Sequence, residues 1–140
     1  MSNSHLHNTA MLLARVCLTA IFILAGYDKI MHFDSTAQMM ASQGIPYSDI
    51  FLVIAIIFEF GGGLLVLLGL QARLGAFLLF LFVIPVTFVF HPFWNIEDMA
   101  SMQNQMQHFY KNLTILGGML YVMVCGAGCY SLDALLKRKK

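Results

Sequence analysis

Among the ionisable side chains within or at the ends of otherwise apolar stretches are Arg15, Lys29, Glu59, His91 and Lys111. Their types and spacing set the chemistry open to this chain. Glu59 is roughly 13 Å deep in the block that starts at Ile50, at a helical rise of about 1.5 Å per residue. A charge at that depth costs a few kcal/mol or more, so it pairs, faces a cavity or serves a function. Lys29, His91 and Lys111 fall within about one turn of the outer surface, on three different helices. They offer hydrogen-bond donors and, in His91, a side chain that changes charge near neutral pH. Arg15 lies on the opposite half, so Glu59 stands between two cationic levels, roughly 8 Å from Arg15 and 10 Å from the outer group. Arg15 and Glu59 are therefore candidates for an intramembrane ion pair. Lys29, Glu59, His91 and Lys111 are candidates for a ligand-binding pocket with Glu59 as its floor. One reading is a buried pair that only fixes helix register. The other is an outward-facing polar pocket for an anionic or proton-coupled ligand. The sequence leaves both open and assigns no catalytic residue.

Apolar helices must position these groups. Of 140 residues, 59% are hydrophobic and 11% charged, against about a quarter charged in soluble domains. A soluble domain of this size has too little interior for so much apolar surface; lipid is the solvent that resolves the conflict. Residues 1–140 form a single transmembrane domain with spans at about 10–31, 50–70, 73–91 and 109–130, each near the length of about 20 residues that a bilayer requires. The predicted fold class is all-α, an integral membrane bundle of four transmembrane helices with short interfacial helices in the two periplasmic connections. Nothing before Arg15 is Lys or Arg, and Leu24-Ala25-Gly26-Tyr27 is a poor cleavage site, which argues against a signal peptide.

Turn chemistry fills in the connections. Gly69 terminates the second span ahead of a tight hairpin at Gln71-Ala72-Arg73. Ser35 and Gln38 fit a capping box, and Gly44 and Pro46 stop that short helix. Asn95 is placed to cap a helix whose Met99, Met102, Met106 and Phe109 recur at helical spacing. Gly61-Gly62-Gly63 and Gly117-Gly118 mark close helix packing, and Pro85 a kink in the third span. Cys17, Cys125 and Cys129 form no CxxC and read as buried small apolar residues. His32, His91, His108 and the methionines could hold copper(I), but a methionine stripe at helical spacing reads better as packing, so no metal site is assigned.

Several fragments, weak singly and specific in their order, resemble the DoxX family of small bacterial four-span proteins, from about Arg15 to Asp133. They are Arg15, Gly26-Tyr27-Asp28-Lys29-Ile30, Gly44-Ile45-Pro46 and Glu59 with Gly61-Gly62-Gly63-Leu64, then Leu68-Gly69-Leu70 with Arg73. His91 with Phe93, Lys111-Asn112, Gly126-Ala127-Gly128 and Ser131-Leu132-Asp133 complete the set. The resemblance implies a polytopic inner-membrane protein, and by analogy quinone-linked redox or redox-accessory work with quinone as the ligand. Its partners would be the lipid bilayer, a quinone, and a membrane redox partner or a second copy of the chain, with no nucleic acid. A carrier for a small solute or metal, and a structural subunit without chemistry of its own, are the competing classes. Enzymatic activity is left undecided.

Basic residues orient the chain. Arg73, Lys137, Arg138, Lys139 and Lys140 fall on one side, with Lys29 and Lys111 on the other among Asp28, Asp34, Asp49, Glu97 and Asp98. The expectation is a bacterial inner-membrane protein with both termini cytoplasmic and the terminal basic run against anionic lipid. In a cysteine-free background, a cysteine at position 73 should therefore be shielded from a membrane-impermeant thiol reagent in intact cells, and one at position 97 should label. The reverse pattern would invert the topology.

Overall fold

The computed structural model describes residues 2–137, which fold into helices throughout. α1 (Ser2–Met31) leads to α2 (Phe33–Ser42), followed by α3 (Ser48–Ile56), a π-helical turn (Ile57–Gly61) and α4 (Gly62–Leu68). After a short turn come α5 (Ala72–Phe90), a 3-10 turn (Phe93–Asn95), α6 (Met99–Cys125) and α7 (Leu132–Lys137). Three helical stretches are long and apolar enough to cross a membrane: Ser4–Met31, Ser48–Leu68 and Ala72–Asn95.

Each long helix buries one narrow stripe. On α1 it is Arg15, Thr19, Phe22 and Gly26, and on α5 Ala72, Gly75, Ala76, Leu79, Val83 and Thr87, both at the three- and four-residue spacing of a helix face. The core joins these to Val66, Met119 and Val122, while most large apolar side chains point outward, as expected of helices solvated by lipid. α5 packs between α4 and α6, and α1 lies against α4 and the π turn. The bundle closes where a Cβ on Gly118 of α6 would stand 2.9 Å from Leu18 of α1.

Glycines set the closest crossings. A Cβ on Gly75 would come 2.8 Å from the Gly62 carbonyl and 2.7 Å from Leu65 Cβ, so α4 and α5 meet at backbone distance. Gly63 is likewise tight against Phe22 and Ile23 of α1, whereas a Cβ on Gly61 or Gly117 would meet nothing within 4 Å. Close packing thus explains Gly62, Gly63 and Gly118, not every member of the two clusters.

Several local expectations are corrected. Ser35 lies inside α2 and donates to the His32 carbonyl, and His32 holds the N-cap without a side-chain capping bond, so no capping box forms. The N-cap of α6 is Asp98, not Asn95, because Asn95 is consumed in the 3-10 turn after Pro92. The Ser101 side chain and N–H hold the Asp98 carboxyl below its ordinary range. In the second connection, the helix after Asp98 runs unbroken into the fourth apolar segment as one 27-residue helix. That helix stops at Cys125 rather than near 130: Gly126 and Gly128 adopt φ of 77° and 76°, which end a right-handed helix. Pro85 sits inside a continuous α5. All three cysteines are exposed on the outside of the bundle rather than buried.

Gly69 caps α4 at φ 67°, as its position before the hairpin predicts. A Cβ there would collide with the Arg15 guanidinium and with Ser131. Gly69→Ala should therefore destabilise the protein by about 2 kcal/mol or more, visible as a lowered thermal midpoint in detergent, while Gly117→Ala should be nearly neutral.

Candidate functional site

The Lys29–Glu59 contact is built by one irregularity of local structure and one ordinary side-chain direction. Glu59 sits in the π turn between α3 and α4 and is 6% exposed. A π turn carries an extra residue per turn and recurs at functional sites. Lys29 lies in the last turn of α1, and its side chain folds back toward the helix start, with Nζ 3.5 Å from the Ala25 carbonyl. That direction follows from the backward tilt of helical side chains. The ammonium comes to 2.7 Å from Glu59 Oε2. Oε2 has no well-aligned hydrogen bond, so the pair is a close ionic contact, and the carboxylate keeps capacity to accept from another donor.

Arg15 is not the partner of Glu59. It is 2% exposed and belongs to a separate polar centre in the other half of the bundle. Its Nη1 donates to the carbonyls of Val66 and Leu67 at 3.3 and 3.2 Å, and Nη2 to that of Tyr130. These carbonyls lie at the negative end of the α4 dipole, and although that of Val66 also accepts the Gly69 N–H at 3.1 Å, both capture the guanidinium before it can reach upward.

A cavity of about 660 Å³ opens beside the Lys29–Glu59 pair, within the roughly 300–1,000 Å³ of small-molecule sites. Phe58 and Glu59 of the π turn form one part of its wall, with Thr36, Met39 and Met40 of α2, Leu52 and Ala55 of α3, and Phe82, Pro85 and Val86 of α5. Pro85 has no N–H, so the Leu81 carbonyl four residues earlier lacks its usual helical donor beside the cavity. Phe51 and Ile54 of α3 and Leu81 and Val89 of α5 line the cavity and are also exposed on the outer face of the bundle. The cavity therefore has a side opening between α3 and α5, which belong to two of the stretches apolar enough to cross a membrane.

His91 follows α5 and completes the lining. Its Nδ1 stands 2.7 Å from Gln105 Oε1 of α6, a pairing that, with Nδ1 as donor, leaves Nε2 available. The His91 ring stacks on His108 at 5.1 Å. Lys111 does not line the cavity. It is exposed, with Nζ 3.3 Å from His108 Nδ1. Partial burial first, then Lys111 and His91, hold the His108 pKa below its ordinary value. Lys29, Glu59 and His91 thus come together, while Lys111 connects to them only through the two histidines. Among the described residues, no three His, Cys, Asp or Glu side chains converge to hold a metal ion.

Sequence reasoning missed one buried polar link. Asn112 Nδ2 donates to Thr87 Oγ1 at 3.0 Å, and that hydroxyl donates to the Val83 carbonyl at 2.6 Å. The bond joins α5 to α6 with its polar atoms satisfied. Its signal was present in the sequence, as a lone amide and a lone hydroxyl each on the buried stripe of an apolar helix.

These features describe a helical membrane protein with a charged pair and a ligand-sized cavity in one half and an arginine cap in the other. Residues 10–92 match the DoxX family. The chain is 37% identical to Escherichia coli inner membrane protein YqjF over 134 residues, covering 96% of this chain and 97% of that protein. It is 35% identical to inner membrane protein YphA of the same organism over 123 residues, covering 88% and 87%. No solved structure matches. The chain belongs to the DoxX family of integral inner-membrane proteins.

Removing one partner of a buried pair leaves the other uncompensated and costs about 3 kcal/mol or more. Glu59→Gln and Lys29→Met should each lower thermal stability in detergent. The double variant should recover part of the loss, whereas Glu59→Gln combined with Arg15→Met should be additive. Additivity of the Lys29 and Glu59 effects would rule out the coupling.

Proposed function

We propose that the chain is a four-span bundle with both ends in the cytoplasm, and that the cavity beside Lys29 and Glu59 binds the headgroup of a quinone for a redox or redox-accessory role. α6 supplies the fourth span with its apolar second half, and α2 lies at the periplasmic interface. The observation that carries the ligand reading is the side opening. A quinone has a small polar head and a long apolar tail. This cavity combines polar groups at its floor and mouth with a lipid-level exit between α3 and α5.

The chemistry suits both redox forms. Quinone carbonyls accept hydrogen bonds, which the Lys29 ammonium and a protonated His91 can donate. Quinol hydroxyls donate, and the Glu59 carboxylate and the Leu81 carbonyl can accept. Reduction of a quinone takes two electrons and two protons. His91 and Glu59 are groups able to carry protons, and the electrons would come from a redox partner in the membrane.

Binding of a short-tailed quinone analogue to the purified protein, followed between about pH 5 and 8 where a histidine changes charge, tests the reading. Binding should depend on pH in the wild type, and His91→Ala should remove that dependence. Glu59→Gln should weaken binding about tenfold, or about 1.4 kcal/mol, and Lys111→Ala should do little. A pH-independent signal indifferent to both His91→Ala and Glu59→Gln would reject the site.

A further inference from the structure

We propose that the opposite end of the bundle, where the turn at 69–71 meets the segment 126–137, holds the phosphate of an anionic phospholipid. A second cavity of about 550 Å³ lies there, lined among others by Gln71, Arg73, Leu74, Gly126, Asp133 and Lys137. It is independent of the Lys29–Glu59 cavity and of the quinone reading.

Charge selects an anion. Arg73 uses Nη2 to donate to the Val124 carbonyl at 3.2 Å, and its guanidinium lies over Gly126, where a Cβ would stand 3.5 Å from Nε. A guanidinium carries five N–H donors, so most remain for a ligand. Among the described residues no carboxylate lies within ion-pair distance of Arg73 or Lys137. Asp133 also lines the cavity, but its Oδ1 already accepts the Gln71 N–H at 3.0 Å.

The surroundings select a lipid over a soluble phosphate. Leu74 both lines the cavity and is exposed, and Val124, just before it, is 76% exposed. On α7, Leu132, Leu135 and Leu136 are all exposed, while Asp133 is partly buried and bonded back to the turn. Exposed leucines beside a basic cavity at a helix-bundle end match the headgroup–acyl boundary, where apolar side chains enter lipid and Arg or Lys meets phosphate.

The test uses the purified full chain in neutral detergent, with phosphatidylglycerol or phosphatidylcholine added in mixed micelles and the thermal midpoint followed. Separate arms receive inorganic phosphate and glycerol 3-phosphate. Phosphatidylglycerol should raise the midpoint saturably, and the other three additions should not. Arg73→Gln and Lys137→Gln should each raise the phosphatidylglycerol concentration for half-effect by about fivefold, the worth of one basic group at a charged lipid surface. Equal stabilisation by phosphatidylcholine overturns the proposal, as does the full effect from either soluble phosphate. Should Arg73→Gln fail to fold, Lys137→Gln decides alone, since its side chain is exposed and bonds to nothing among the described residues. An unshifted half-effect there overturns the site.

Discussion

An arginine side chain in hydrocarbon cannot shed its proton, so it must be surrounded by acceptors or carried to water. Arg15 solves this with the backbone. It gathers the carbonyls of Val66 and Leu67 from the end of α4 and that of Tyr130 from the segment after α6. Two parts of the chain far apart in sequence are thereby fixed to one side chain on α1. The turn at 69–71 follows from this arrangement. Gly69 has room only for a hydrogen beside the guanidinium, and its carbonyl and the Gln71 N–H are both taken by Asp133. α5 therefore enters the bundle from a turn held on both sides.

Both terminal nitrogens of Arg15 are bonded within its own half, with Nε left unpartnered, and Glu59 finds its cation in Lys29 instead. The protein separates the two charges into layers, one closed by backbone carbonyls and the other next to a cavity. The layers differ in what they leave available. The Arg15 layer is packed by Thr19, Val66 and Ser131, all buried. The Glu59 layer contains a π turn, a proline in the facing helix and a side opening.

The apolar runs made the first three spans legible, and a glycine before a short polar turn made the Gly69 cap legible. Arg15, Lys29, Glu59 and His91 stood out because charge or imidazole in an apolar setting is conspicuous. The pairing among them was not legible, because rise per residue gives the level of each Cα and not the reach of the side chain. Lys29 begins about 10 Å above Glu59 on that measure, yet its side chain leans back along α1 and closes the gap. The π turn has no signature in residue type. The end of α6 was misplaced because Ala127 and Cys129 continue the apolar composition, while Gly126 and Gly128 change the backbone without changing hydropathy. Lys111 misled for the opposite reason: it shares a level with His91 but points to His108 on its own helix.

Trp94 is the only tryptophan in the sequence, and its place gives the protein a built-in optical probe. The indole packs among Phe88, Phe93 and Phe109 at ring separations of 5.3 to 6.3 Å, three residues beyond His91, and stays half open to its surroundings. All tryptophan emission therefore originates three residues beyond His91, which lines the cavity, free of background from the Arg15 half. Its wavelength reads the polarity at that depth in the bilayer. A light-absorbing guest arriving next to His91 would quench it, so occupancy can be followed in the unlabelled, unmutated protein.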